Sequence, residues 1–228
     1  MRSAVVLGVS SAVVLAAASA VAGAVAGVPI GAAVGITLGT IAGVTYGRAV
    51  QGVGAYDIGS WRGRLAFVLD HTWSLPNTFV GALFLAGNLL AGNRIDVPAS
   101  RGHNCVHLVG GVIPGYLTTI GTVIAGIAPA AHPHEHGHIA QARALGPLYI
   151  PSVLVHYVVV TLVPYWLVRH DHERFPLRGV RGYFVDGVYL HVWHEAWCYR
   201  RHGPQRRPRD VRGSEKLMAS GDGAGRGT

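Results

Sequence analysis

Between Ser3 and Gly47 the chain has no Asp, Glu, Lys or Arg, and Gly23, Gly27, Gly31, Gly35, Gly39, Gly43 and Gly47 recur every fourth residue without a break. A charge-free run of that length suffices for two membrane spans of about 20 residues each. Glycine at every fourth position cuts a groove along a helix, so a second helix approaches closely in lipid, where packing rather than the hydrophobic effect drives association. Pro29 separates the Ala4 to Ala26 run from the Gly31 to Tyr46 run and predicts a bend or hairpin. Two other readings stay open. Met1 to Ala20, with its basic start, apolar middle and Ala-Ser-Ala exit, has the form of a cleaved signal peptide. The glycine-rich stretch also has the poor helix propensity of a linker.

Half of the 228 residues are hydrophobic and 13% are charged, a balance that leans away from an ordinary soluble protein and toward membrane association. Most of the net charge of +8 lies from Arg169 to Arg212, as in a segment lying beside an anionic leaflet. No nucleic-acid motif accompanies it, so no nucleic-acid partner is expected. Cys105 and Cys198 are too few for a disulfide framework and have no C-x-x-C spacing.

His134, Glu135 and His138 spell H-E-x-x-H. On a helix the two histidines lie one turn apart on one face and can bind one zinc ion, while Glu135 can deprotonate the metal's water. Good helix formers from Ile139 to Leu145 and the stop signal Gly146-Pro147 support a helix from His134 to Leu145. Gln141 falls one turn beyond His138 on a similar face, where it either hydrogen-bonds behind the ligands or to the substrate, or is a plain surface amide. The plainer reading is a histidine-rich surface helix without metal.

Elsewhere Ile58 to Leu69 predicts a short amphipathic helix, and Pro76-Asn77-Thr78 starts another that ends near Gly92-Asn93. Asn93 to Cys105 reads as loop and Leu117 to Ile127 as one buried strand. Tyr149 to Val168 is either a span or a central core helix. A second constellation, HVWHEAWCYRRHG from His191 to Gly203, sets His191 and Glu195 at helical ligand spacing. A zinc site on H-E-x-x-H needs a third ligand, and a glutamate on a later helix is one known solution, which selects Glu195. His191, His194, His156 and Asp186 are the reserves.

The segments Ser74-Leu75-Pro76-Asn77-Thr78 with Gly81, Gly92-Asn93-Arg94-Ile95, His134-Glu135-His136-Gly137-His138 with Gln141, and Leu145 to Pro151 resemble an uncharacterised bacterial family. That family occurs as small membrane-type proteins and as the C-terminal region of polymorphic toxins. The resemblance runs from about Trp73 to Gly203 and implies a zinc-peptidase-like centre of unproven substrate.

The expected architecture is mainly α, or α+β with a few short strands. Residues 1–50 form glycine-zipper transmembrane helices, residues 51–212 a zincin-like helical domain and residues 213–228 a disordered tail. The expected function is membrane-associated zinc-dependent hydrolysis, in a bacterial inner membrane or after secretion. Its partners are the lipid bilayer, a peptide or protein substrate and further copies packing through helices. The rival is a membrane-inserting or structural membrane protein with a non-catalytic metal site.

Overall fold

The computed structural model describes residues 2–25, 29–112, 117–126 and 132–202. Among these residues the fold is mainly helical with three short strands. Helices α1 (Arg2–Val25) and α2 (Pro29–Val53) form an antiparallel pair. Their contact is made by small residues. A Cβ on Gly35 would lie 2.5 Å from the Ser19 carbonyl oxygen, and one on Gly43 would lie 2.5 Å from that of Ala12. Gly39 and Gly47 are backed against Ser19, Gly8 and Ala12 in the same way. The stripe read from the sequence is therefore filled by α1 of the same chain over this length; Gly27 lies outside the described residues. The pair turns apolar side chains outward, including Val6, Val13 and Val21 on α1 and Ile36, Ile41 and Val44 on α2.

The last turns of α2 enter the main core. Tyr46, Val50 and Val53 pack with Ala66 of α3 (Trp61–His71), with Ala82 and Leu85 of α4 (Leu75–Leu90), and with one face of the sheet. After the short helix α5 (Val97–Ser100) come β1 (Val106–Leu108), β2 (Thr118–Ile120) and β3 (Val123–Ala125), in the spatial order β1-β3-β2. β3 pairs parallel to β1 and antiparallel to β2. Leu117 to Ile127 is thus not one strand. Gly121, at φ +58°, reverses the chain so that β2 folds back on β3, and its close approach to the Asn77 carbonyl leaves no room for a side chain. Alternation then divides the side chains. Val106, Leu108, Val123 and Ala125 face the main core, while Cys105 and Ile124 face Ile139 of α6 (His132–Leu145).

A buried polar chain ties these layers. Arg143 of α6 grips Asp70 of α3 through two hydrogen bonds of 2.8 and 2.6 Å and donates a third to the Asn104 carbonyl. Tyr56 donates to Asp70, and Tyr46 of α2 bonds both Tyr56 and Thr122 at the hairpin turn. The segments singled out around Trp73 and Leu145 close the end of α6. Asn77 donates to the carbonyls of Gly146 and Ala142, and Ser74 to that of Ala142. Gly146, at φ +55°, lies against the Trp73 ring.

A 3₁₀ turn (Gly146–Leu148) leads into α7 (Tyr149–Leu162). Of its residues only Val160 is buried, while Leu154, Val155, Val158 and Leu162 are exposed, so α7 is not a central core helix. By length and composition, Ala4–Val25 and Pro133–Leu162 are apolar enough to cross a membrane. The second stretch, however, begins in α6, whose His134, Glu135, His138 and Gln141 side chains are buried within the protein. Beyond α7, a small second core forms around Trp166, Val188 and Val192. Its chain runs through α8 (Gly179–Gly182), a wide π turn, α9 (Tyr189–His191) and α10 (Trp193–His202). The tail expected at 213–228 lies outside the described residues.

Candidate metal centre

α6 and α10 pack face to face, and their facing side chains converge. The helical period puts His134, His138 and Gln141 of α6 on one flank, and His194, Glu195 and Cys198 of α10 on the other. The Glu195 carboxylate sits between the imidazoles. His134 Nε2 donates to its Oε2 at 3.0 Å, and the Nε2 atoms of His138 and His194 lie 3.4 and 3.6 Å from its Oε1. Cys198 Sγ is 3.6 Å from His138 Nδ1. Each of these residues is buried. Two overlapping sets, His134-His138-Cys198 and His138-His194-Glu195, hold their donor atoms within 4.8 Å of one another and could hold a metal ion.

Gln141 orients this group from behind. Its Oε1 accepts from His138 Nδ1 at 3.2 Å and its Nε2 donates to the His194 carbonyl at 2.9 Å, which leaves His138 Nε2 for the centre. Burial alone would raise the Glu195 carboxyl, but hydrogen bonds from His134 and His138 hold it well below the usual carboxylate range. Burial lowers His194 to about 4. The Nδ1 atoms of His134 and His194 are buried without a hydrogen-bond partner. A buried anion ringed by imidazoles and a thiol, with ring nitrogens left unmatched, is an environment that a cation satisfies.

Glu135 points along a different edge of α6. Its Oε2 accepts a 2.5 Å hydrogen bond from Thr119 Oγ1 on β2, and burial raises its pKa although that bond works against the rise. Glu135, His138, His194 and Glu195 together line a cavity of about 590 Å³. The opposite walls are apolar, from Ile150 and Val153 of α7 to Phe184 and Val188, and residues 118–121 of the edge strand form one side.

The structure thus brings together His134, Glu135, His138, Gln141 and Glu195. It does not bring in His191 or His156. The helix breaks at Val192, whose ψ is 132°, so His191 leaves the face of Glu195, stacks on Trp166 and donates to the Gly187 carbonyl. His156 accepts from the Trp193 backbone N–H instead. Asp186 belongs to neither donor set. His194, held only in reserve from the sequence, moves to the centre, and Cys198 was missed. The available signal was His194-x-x-x-Cys198, one helical turn, which a search for C-x-x-C passes over. No family model, curated protein or solved structure matches the chain.

Proposed function

We propose that this protein is a membrane-associated zinc-dependent hydrolase, of the metallopeptidase kind that the resemblance implies, acting on extended apolar peptide segments. The observation that carries this reading is that the H-E-x-x-H glutamate and three metal-ligand candidates open into one apolar cavity flanked by a sheet edge. His134, His138 and Glu195 would hold the ion, a His₂Glu set with zinc's preferred donors. Bound zinc supplies Lewis acidity and a water of lowered pKa.

Thr119 occupies Glu135 Oε2, so Oε1 is the oxygen left to take the proton of the attacking water. Its raised pKa brings the base nearer neutrality, where proton transfer is most effective. The edge of β2 that pairs with no other strand among the described residues can pair with an extended backbone while the apolar wall receives a side chain and excludes water. The outward valines and isoleucines of α1 and α2 and the bare apolar face of α7 support a lipid-facing location.

The test is the Glu135→Gln variant against an apolar peptide library read by mass spectrometry. It should retain metal and lose turnover about 10²- to 10⁴-fold. Equal turnover in wild type and variant would sink the proposal. Cys198 favours a second reading, since His134, His138, Glu195 and Cys198 would make a closed structural site of four protein ligands. Metal loss in Cys198→Ala, with no hydrolysis by wild type, would select it.

A further inference from the structure

The middle histidine of the motif, His136, projects from the far side of α6, because two residues along a helix turn it about 200° from His134. There it meets the sheet. Cys105 and His107 are two residues apart, so the strand period sends both toward α6. The His107 and His136 rings stand 5.7 Å apart, with exposed His103 6.3 Å from His136. Donor atoms of Cys105, His107 and His136 all lie within 4.8 Å of one another. Cys105 and His107 are buried and His136 half-buried.

We propose that Cys105, His107 and His136 form a second transition-metal site, separate from the first and on the opposite flank of the same helix, with the His103 ring 6.3 Å from that of His136 as the candidate fourth ligand. Metal–sulfur and metal–nitrogen bonds of about 2.3 and 2.0 Å at tetrahedral angles put donor atoms about 3.3 to 3.5 Å apart. The present spacing closes to that by about an ångström of side-chain rotation. One thiolate with two or three imidazoles suits a soft or borderline ion, zinc or copper(I), and disfavours calcium or magnesium. The site joins β1 directly to α6 and makes no use of Glu135, so it fixes the helix rather than acting on substrate. Its existence does not depend on the hydrolase reading.

The test uses the full chain in detergent, stripped of metal and titrated with Zn²⁺ alone or Cu⁺ alone. Wild type should take two equivalents in total, His138→Ala one and Cys105→Ser one. Metal uptake that is the same in wild type and Cys105→Ser overturns the proposal, whatever the total; one equivalent lost in Cys105→Ser supports it. Because Cys105→Ser alters a buried position, cobalt(II) loading of Cys198→Ser gives an independent answer with Cys105 intact. A thiolate-to-cobalt absorption band there, lost on adding His136→Gln, supports the site; a spectrum without that band, together with no Cu⁺ uptake that Cys105→Ser removes, overturns it. Uptake at this position of Cu⁺ but not Zn²⁺ would support the site and name its ion.

Discussion

Asp70 has no solvent exposure and accepts two hydrogen bonds from Arg143 and one from Tyr56, so its charge is affordable only while those donors stay in place. Asp70→Asn leaves Arg143 without its countercharge and should cost about 3–5 kcal/mol, read as a lower denaturation midpoint with an unchanged slope. His71, beside it, is lowered from 6.5 chiefly by burial, against opposing help from the Phe67 carbonyl and Asp70. Below pH 6.5 the unfolded chain therefore binds a proton that the folded chain refuses. Stability from this group falls as pH drops through 6.5 and levels off below its folded value. His71→Phe should show a shallower loss between pH 7.5 and 5 than wild type in paired melting curves; parallel curves would remove His71 as the cause. The facing of His134, Glu135, His138 and Gln141 was legible because a helix repeats every 3.6 residues. The fate of His191 was not, since it turns on one extended residue, Val192, whose neighbours give no turn signal, whereas Cys198 was legible from its one-turn spacing to His194.

Among the elements, the α1–α2 pair follows directly from glycine spacing, and the structure adds which positions touch. Gly35→Leu with Gly39→Leu keeps α2 apolar but drives side chains into Ser19 and its carbonyl, so α1 should separate from α2 while both stay in the membrane fraction. Disulfide crosslinking of cysteine pairs placed across the two helices measures this, and undiminished crosslinking would count against the packing. The β2–β3 hairpin was hidden inside one apolar run. Its turn, Gly121-Thr122, is set by contacts with α4 and α2 that lie far away in sequence. The end of α6 was legible from Gly146-Pro147, but its clasp by Ser74 and Asn77 was not, because those residues are 68 and 69 positions away along the chain.

For the whole molecule, the sequence separates a membrane segment from a later domain at about residue 50, whereas α2 runs on to Val53 and its last turns are core. Wild-type protein should resist carbonate extraction from membranes; release would show that α1 and α2 are no anchor. The Tyr46–Thr122 bond gives this continuity a further meaning. Thr122 adjoins the strand whose Thr119 holds Glu135, so a rigid route of two hydrogen bonds and one tight turn runs from α2 to the proposed base. With α2 seated in a bilayer, the base then stands at a set height above it, like a blade on a fixed post. On the proposed hydrolase reading, scissile bonds would be chosen by their distance from the lipid surface as much as by their flanking residues.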